Sequence, residues 1–259
     1  MFVLQFPKDS SSLILKLKPK DLPLGNYALV AYGRGMELPA FTYERAKIEL
    51  EGKVVKVVPL HEMLFLEDAY ADEKDVLVFA NDQSEVKETL DNLWSLGINA
   101  DLFTCGNVEG KGGVRVQQLK EELCEVNLSL SILKSTLSSS TSARARRLIG
   151  EMDFSDLKEW AEKKAMEIDP ELDVILSPVL MPAKSLVEEN IGKNVKTYYD
   201  TNFYNSNVIF TGIDALIMRR ISFQLRKNST KVKEVLLDVD PLMAPIYLTI
   251  ISYIIKLNK

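Results

Sequence analysis

The chain has 259 residues, 46% hydrophobic and 27% charged, enough to bury one large core or two of ordinary size. A net charge of −5 excludes a generally basic surface, and with it nucleic-acid binding as the main task. Cys105 and Cys124 are the only cysteines and fall in separate predicted elements, so neither a disulfide framework nor a cysteine-based zinc cluster is indicated, and a reducing cytoplasm is the expected location.

Met1–Pro7 lacks the basic start and apolar stretch of a signal peptide. A first strand is predicted over Ala28–Tyr32, running into Gly33-Arg34-Gly35 and a helix that opens around Met36–Ala40. Val54–Val58 reads as a second strand, and Asp75–Ala80 as a third, leading into Asn81-Asp82-Gln83-Ser84. Gln83–Leu96 follows with helical spacing: Val86, Leu90, Leu93 and Trp94 share one face, while Glu85, Lys87, Glu88 and Asp91 lie largely on the other. Asn99–Thr104 is a fourth strand, and Val114–Leu137 is expected to form one long apolar helix. Gly110-Lys111-Gly112-Gly113 lacks the lysine and hydroxyl spacing of a nucleotide phosphate loop and reads as a flexible turn. Ser138–Ser142, followed by Arg144, Arg146 and Arg147, reads as a linker with a helix cap near Ser142.

The same order then returns. Asp173–Leu176 meets Ser177-Pro178-Val179 and a helix, Asn207–Thr211 meets Gly212-Ile213-Asp214 and a helix, and Lys233–Val239 precedes a long apolar helix over Pro241–Leu257. Two copies of one parallel α/β unit are the economical explanation, with a first domain over residues 1–140, including a short amino-terminal extension, and a second over 141–259. Leu242–Ile255 is shorter than the roughly 18 residues of a membrane span and contains Pro245, so it is expected to be a buried helix. In an open parallel sheet, ligands bind where loops and helix N-termini gather beyond the carboxyl ends of the strands. Attention falls on four loops, Gly33-Arg34-Gly35, Asn81-Asp82-Gln83-Ser84, Ser177-Pro178-Val179 and Gly212-Ile213-Asp214.

Three segments carry a family resemblance that extends from about Asn26 to the end of the chain. Leu29–Gly35 resembles the first glycine turn of the double sugar isomerase (SIS) domain of phosphosugar isomerases. Phe79–Leu90 resembles that family's serine-rich phosphate loop and following helix, and Asp240–Ile246 its closing helix. The resemblance includes the isomerase domain of glucosamine-fructose-6-phosphate aminotransferase. It implies two tandem SIS-type domains, each a parallel sheet flanked by helices, a homodimer, a sugar-phosphate ligand, and no metal or organic cofactor.

By the resemblance, Gly33, Arg34, Gly35, Asn81, Asp82, Gln83 and Ser84 are ligand-binding positions, and Gly113 and Val114 match a sugar-site loop. Glu189, in Ser185–Asn190, aligns with the family's catalytic glutamate, a carboxylate suited to moving a proton between adjacent sugar carbons. Departures accompany these matches. The family's loop reads Ser-x-Ser-Gly-x-Thr, whereas Asn81–Val86 keeps one hydroxyl, and Asp82 would either repel a phosphate or serve as a helix cap. The family's ring-opening histidine has no counterpart in Thr197–Ser206, and the only histidine is His61, in the first copy. The implied function is a divergent phosphosugar isomerase or aminosugar-phosphate deaminase acting on a hexose 6-phosphate by proton transfer. The alternative is a non-catalytic sugar-phosphate binding or regulatory protein with degenerate SIS motifs, and a third is a scaffold without ligand.

Overall fold

The computed structural model describes residues 9–66, 75–119 and 122–258. Met1–Pro7, read above as no leader, lies outside them. The chain forms two compact units, the first over residues 16–152 and the second over 153–258 together with 9–15. The division falls after Met152, so the Ala143–Gly150 helix belongs to the first unit and the Ser10–Leu15 helix to the second. Ser142 caps the 143–150 helix as expected, its hydroxyl accepting from Ala145 N at 3.0 Å.

In the first unit, strands β1 (Leu29–Tyr32), β2 (Lys56–Pro59), β3 (Val76–Phe79), β4 (Ala100–Thr104) and β5 (Val114–Gln118) form a five-stranded sheet in the order β2-β1-β3-β4-β5. Every pairing is parallel. β3 is buried at all four positions because helices cover both faces, which is why its sequence is a run of apolar residues without alternation. One face packs Val76, Val78, Val86, Leu90, Leu93 and Leu102 together, bringing in the Gln83–Leu96 helix. The other packs Val30, Leu77, Phe79 and Phe103 with Tyr43 of the Glu37–Glu51 helix, Met36 at that helix's N-cap and Leu128 of the Cys124–Ser139 helix. Trp94, expected on the buried face of the 83–96 helix, is instead 55% exposed, and the Lys111 ammonium lies 4.1 Å from its ring centroid.

The long helix expected over Val114–Leu137 is two elements. Val114–Gln118 is β5, with Val114 buried and Arg115 turned outward, where its guanidinium grips Asp101 of β4 through two bonds of 2.6 Å. The helix begins only at Cys124. Along it, Asn127, Ser131 and Ser135 form a polar stripe at helical spacing that accepts the backbone N–H groups of Lys18, Lys20 and Leu22 at 2.7, 2.9 and 2.8 Å. An extended amino-terminal segment thus lies on the helix with alternate N–H groups satisfied, which accounts for the polar residues inside an otherwise apolar surface.

A second correction concerns the cysteines. Cys105 and Cys124 are joined by a disulfide, with Cα atoms 6.0 Å apart. Cys105 follows the carboxyl end of β4 and Cys124 opens the 124–139 helix, so elements separate in the sequence converge at one end of the sheet. The cysteine-based argument for a reducing compartment is thereby removed.

In the second unit, β6 (Asp173–Leu176), β7 (Val195–Thr197), β8 (Ser206–Thr211) and β9 (Val232–Leu237) form a four-stranded parallel sheet in the order β7-β6-β8-β9. This repeats the order of the first four strands of the first sheet. The Ala244–Leu257 helix is almost wholly buried against the helices Leu157–Glu167 and Lys184–Ile191, as its apolar composition predicts. Among the described residues no helix is long and apolar enough to cross a membrane.

Candidate functional site

In each sheet the chain leaves its first strand in one direction to reach the second and in the other to reach the third. The switch point therefore lies between β1 and β3, and between β6 and β8, and opens at their carboxyl ends. In the first unit Gly33 N donates to Phe79 O at 2.7 Å, carrying the β1–β3 ladder one bond beyond the strands. Gly35 then takes φ 77°, and Met36 N closes the turn onto Gly33 O at 3.1 Å. A Cβ on Gly33 would meet the carboxylate of Glu85, so a side chain fits there only where Glu85 moves aside.

The opposite lip is the start of the 83–96 helix. Asp82 is its N-cap, accepting from Ser84 N at 3.0 Å, from Glu85 N at 3.3 Å and from the Ser84 hydroxyl. The Ser84 hydroxyl, followed by the two backbone donors, holds the Asp82 carboxyl below the usual carboxylate range. Three residues on, Glu85 occupies the position from which a capping-box glutamate folds back on its own helix. Here it crosses the switch point, with Oε1 and Oε2 each 3.3 Å from Arg34 N. Partial burial raises the Glu85 carboxyl above its ordinary value, against the opposing effects of the Arg34 amide and the nearby His61. Arg34 leaves its guanidinium exposed at the mouth. At the back, Asn81 Nδ2 donates to the buried Glu125 Oε1 at 3.2 Å, which ties the loop to the helix that the disulfide anchors.

The second switch point has the same plan and a different closure. Asp214, at the N-cap of the Ala215–Lys227 helix, is 6% exposed. Its Oδ1 accepts from Thr211 N at 2.7 Å and Thr211 Oγ1 at 2.9 Å, and its Oδ2 from Val179 N at 3.2 Å. By register, Ser177 N donates to Ile209 O as Gly33 N does to Phe79 O, so Pro178 stands where Arg34 does and Val179 where Gly35 does. Ser177, the residue after β6, buries a hydroxyl that has no hydrogen-bond partner. Truncating Asp214 to alanine removes the acceptor of the buried Thr211 N–H and hydroxyl and is expected to cost about 2 kcal/mol of the second unit's stability. Asp214→Asn, which keeps one acceptor, should cost less; urea unfolding followed by far-UV circular dichroism measures both.

The structure therefore gathers Gly33, Arg34, Gly35, Asn81, Asp82, Gln83 and Ser84 about one switch point, with Gln83 and Ser84 exposed on the first turn of the helix. It does not bring Gly113 and Val114 there. Val114 pairs with Ala100, at the amino end of the parallel strands, and a Cβ on Gly113 would meet Asn99, just before β4. They are at the wrong end of the sheet because Val114 begins a strand and not a helix. Glu189 lies on the exposed side of the 184–191 helix, as does its neighbour Glu188. His61 is exposed in the Leu60–Leu66 helix, stacked on Phe65 at 5.9 Å. Sequence reasoning missed Glu85, which it placed on the solvent face; its one local signal is the Asp-x-x-Glu spacing from Asp82.

No family model matches the chain, and no curated protein matches its sequence. Solved structures do match its fold. Glucosamine-6-phosphate deaminase from Thermotoga maritima is 14% identical with a TM-score of 0.62, over 89% of this chain and 85% of that one. Tagatose-6-phosphate ketose/aldose isomerase from Escherichia coli is 9% identical with a TM-score of 0.58, over 89% and 81%. The C-terminal domain of glucosamine-fructose-6-phosphate aminotransferase from Francisella tularensis is 13% identical with a TM-score of 0.56, over 96% and 92%. The chain thus has the α/β fold of the phosphosugar isomerases, the SIS fold that its glycine turn and closing helix resemble. At these identities the likeness is one of fold.

Proposed function

We propose that this protein binds sugar phosphates at the β1–β3 switch point of its first unit, as a binding or regulatory member of the phosphosugar isomerase fold. The observation that carries the reading is the Glu85 carboxylate resting on Arg34 N. A backbone turn that seats one oxyanion has the donor geometry for another, and a phosphate ester presents the same acceptor atoms with more charge. The exposed Arg34 guanidinium would add a charge-assisted contact, with Asn81, Gln83 and Ser84 at the rim. Asp82 serves as the helix cap, so the amides of Ser84 and Glu85 are already occupied. We take the working form to be a homodimer, as the resemblance implies.

A second reading, that of a divergent isomerase or aminosugar-phosphate deaminase, rests on the resemblance that aligns Glu189 with the family's catalytic glutamate. Glu189 is exposed on the Lys184–Ile191 helix of the second unit, which speaks against a base held close to a bound sugar. Proton NMR in heavy water with hexose and aminohexose 6-phosphates separates the two. Binding is expected to broaden the signals of phosphorylated sugars but not of the unphosphorylated ones. Arg34→Ala should weaken that binding on the order of tenfold, with no loss of the C2 proton signal. Loss of the C2 signal that Glu189→Gln abolishes would establish the isomerase reading instead. If no phosphorylated sugar binds, sugar-phosphate recognition is refuted.

A further inference from the structure

We propose that Glu85 is a tethered competitor for its own anion seat: an oxyanion enters the Gly33–Arg34 turn only when the Glu85 side chain swings out. This rests on the binding reading above and adds a control on it. The carboxylate lies over Gly33 so closely that a side chain there would collide with it, and it takes up Arg34 N with both oxygens. No ligand oxygen reaches that N–H while it stays.

The duplicated unit supplies the contrast that makes this a latch and not a fixture. Asp214, the carboxylate that closes the second switch point, is 6% exposed and engages three donors at 2.7 to 3.2 Å from a short side chain. Glu85 is half-buried, has one more methylene, and makes its two contacts to a single N–H at the long distance of 3.3 Å. Its backbone does not have to follow the side chain. Glu85 N is held by Asp82, Glu85 O accepts from Thr89 Oγ1 at 2.6 Å, and the adjoining Val86 is 1% exposed. Rotation about the side-chain bonds alone opens the seat. The second switch point is plugged, and the first is gated.

A tethered acceptor competes at an effective concentration in the millimolar range or above, so removing it raises the apparent affinity of any external anion by a corresponding factor. Protonation acts in the same direction. The folded carboxyl titrates above its ordinary value, so the seat is freed progressively as pH falls through that raised value. The charged groups around Glu85 are His61, Asp82 and Glu88, with Arg34 at the turn.

Calorimetric titration with sulfate, which stays dianionic throughout, tests the proposal in the full chain. Glu85→Ala and the near-isosteric Glu85→Gln are compared with the parent, melting curves confirming that each is folded. Both variants are expected to bind sulfate about tenfold or more tightly than the parent. The parent's affinity should rise as pH is lowered from neutral, with a steeper slope than that of Glu85→Ala. Adding Arg34→Ala to Glu85→Ala should remove the gain. Equal or weaker sulfate binding by both Glu85 variants, beside Arg34-dependent binding in the parent, would overturn the latch and leave the anion seat standing. Absence of binding of sulfate and of hexose 6-phosphates by all of them would refute the seat itself, and the latch with it.

Discussion

Phe79→Ala is expected to destabilise the first unit by about 4 kcal/mol, the largest effect of any single truncation near the candidate site. Phe79 is fully buried, its ring 5.8 Å from that of Phe103, in a cluster with Val30, Met36, Tyr43 and Leu128. Closely packed layers cannot collapse onto the space an aromatic ring leaves, so a cavity cost adds to the lost transfer energy. The residue also has a positional role. Its carbonyl accepts Gly33 N at 2.7 Å, and Asn81 follows two residues later, so loosened packing at Phe79 moves both lips of the switch point. Phe79→Leu should cost about 1.5 kcal/mol and preserve ligand binding. Guanidinium unfolding gives both energies. A Phe79→Ala protein as stable as the parent would show that the ring is not packed as described.

Removing the Cys105–Cys124 disulfide is expected to cost about 3 kcal/mol, from the conformational freedom that the open chain regains when unfolded. The bond spans 19 positions of sequence and encloses all of β5. It also ties the carboxyl end of β4 to the helix whose Glu125 accepts from Asn81, so its loss reaches the rear of the candidate site. Thiol titration of the unfolded protein without reductant should find no free thiol, and two after reduction. Cys105→Ser/Cys124→Ser should melt well below the oxidised parent and coincide with the reduced parent. Two free thiols before reduction would show that the cysteines are packed side by side but unbonded.

Phe79→Ala and the cysteine pair should couple, because Phe79 and Cys124 share one cluster. A double-mutant comparison in which their effects add fully would place them in separate cores.

Much of the architecture could be read from the sequence by itself, because buried parallel strands and helix ends obey local rules. Asp173–Leu176 and Gln83–Leu96 fall where predicted, and Ser142 and Asp82 mark helix starts because a short acceptor there satisfies orphan amides. The first turn was legible because left-handed backbone at Gly35 leaves few other residue types. The repeat of strand and turn order, and with it two parallel sheets of the same plan, followed from these local signals.

Only the tertiary structure decided what depends on distant segments meeting. Val114–Gln118 is a strand because β4 offers an edge and Asp101 a partner for Arg115, neither visible in a short window whose spacing also suits a helix. Gly113 and Val114 went to the far end of the sheet with that change. Cys105 and Cys124 pair because the ends of β4 and of the 124–139 helix converge. Glu85 shows the limit most plainly: its own helix offers it a cap or solvent, and the Arg34 amide that takes it instead is 51 residues away in the chain. Periodicity reports which face a residue occupies; which group stands opposite that face is fixed only by the packing of the sheet.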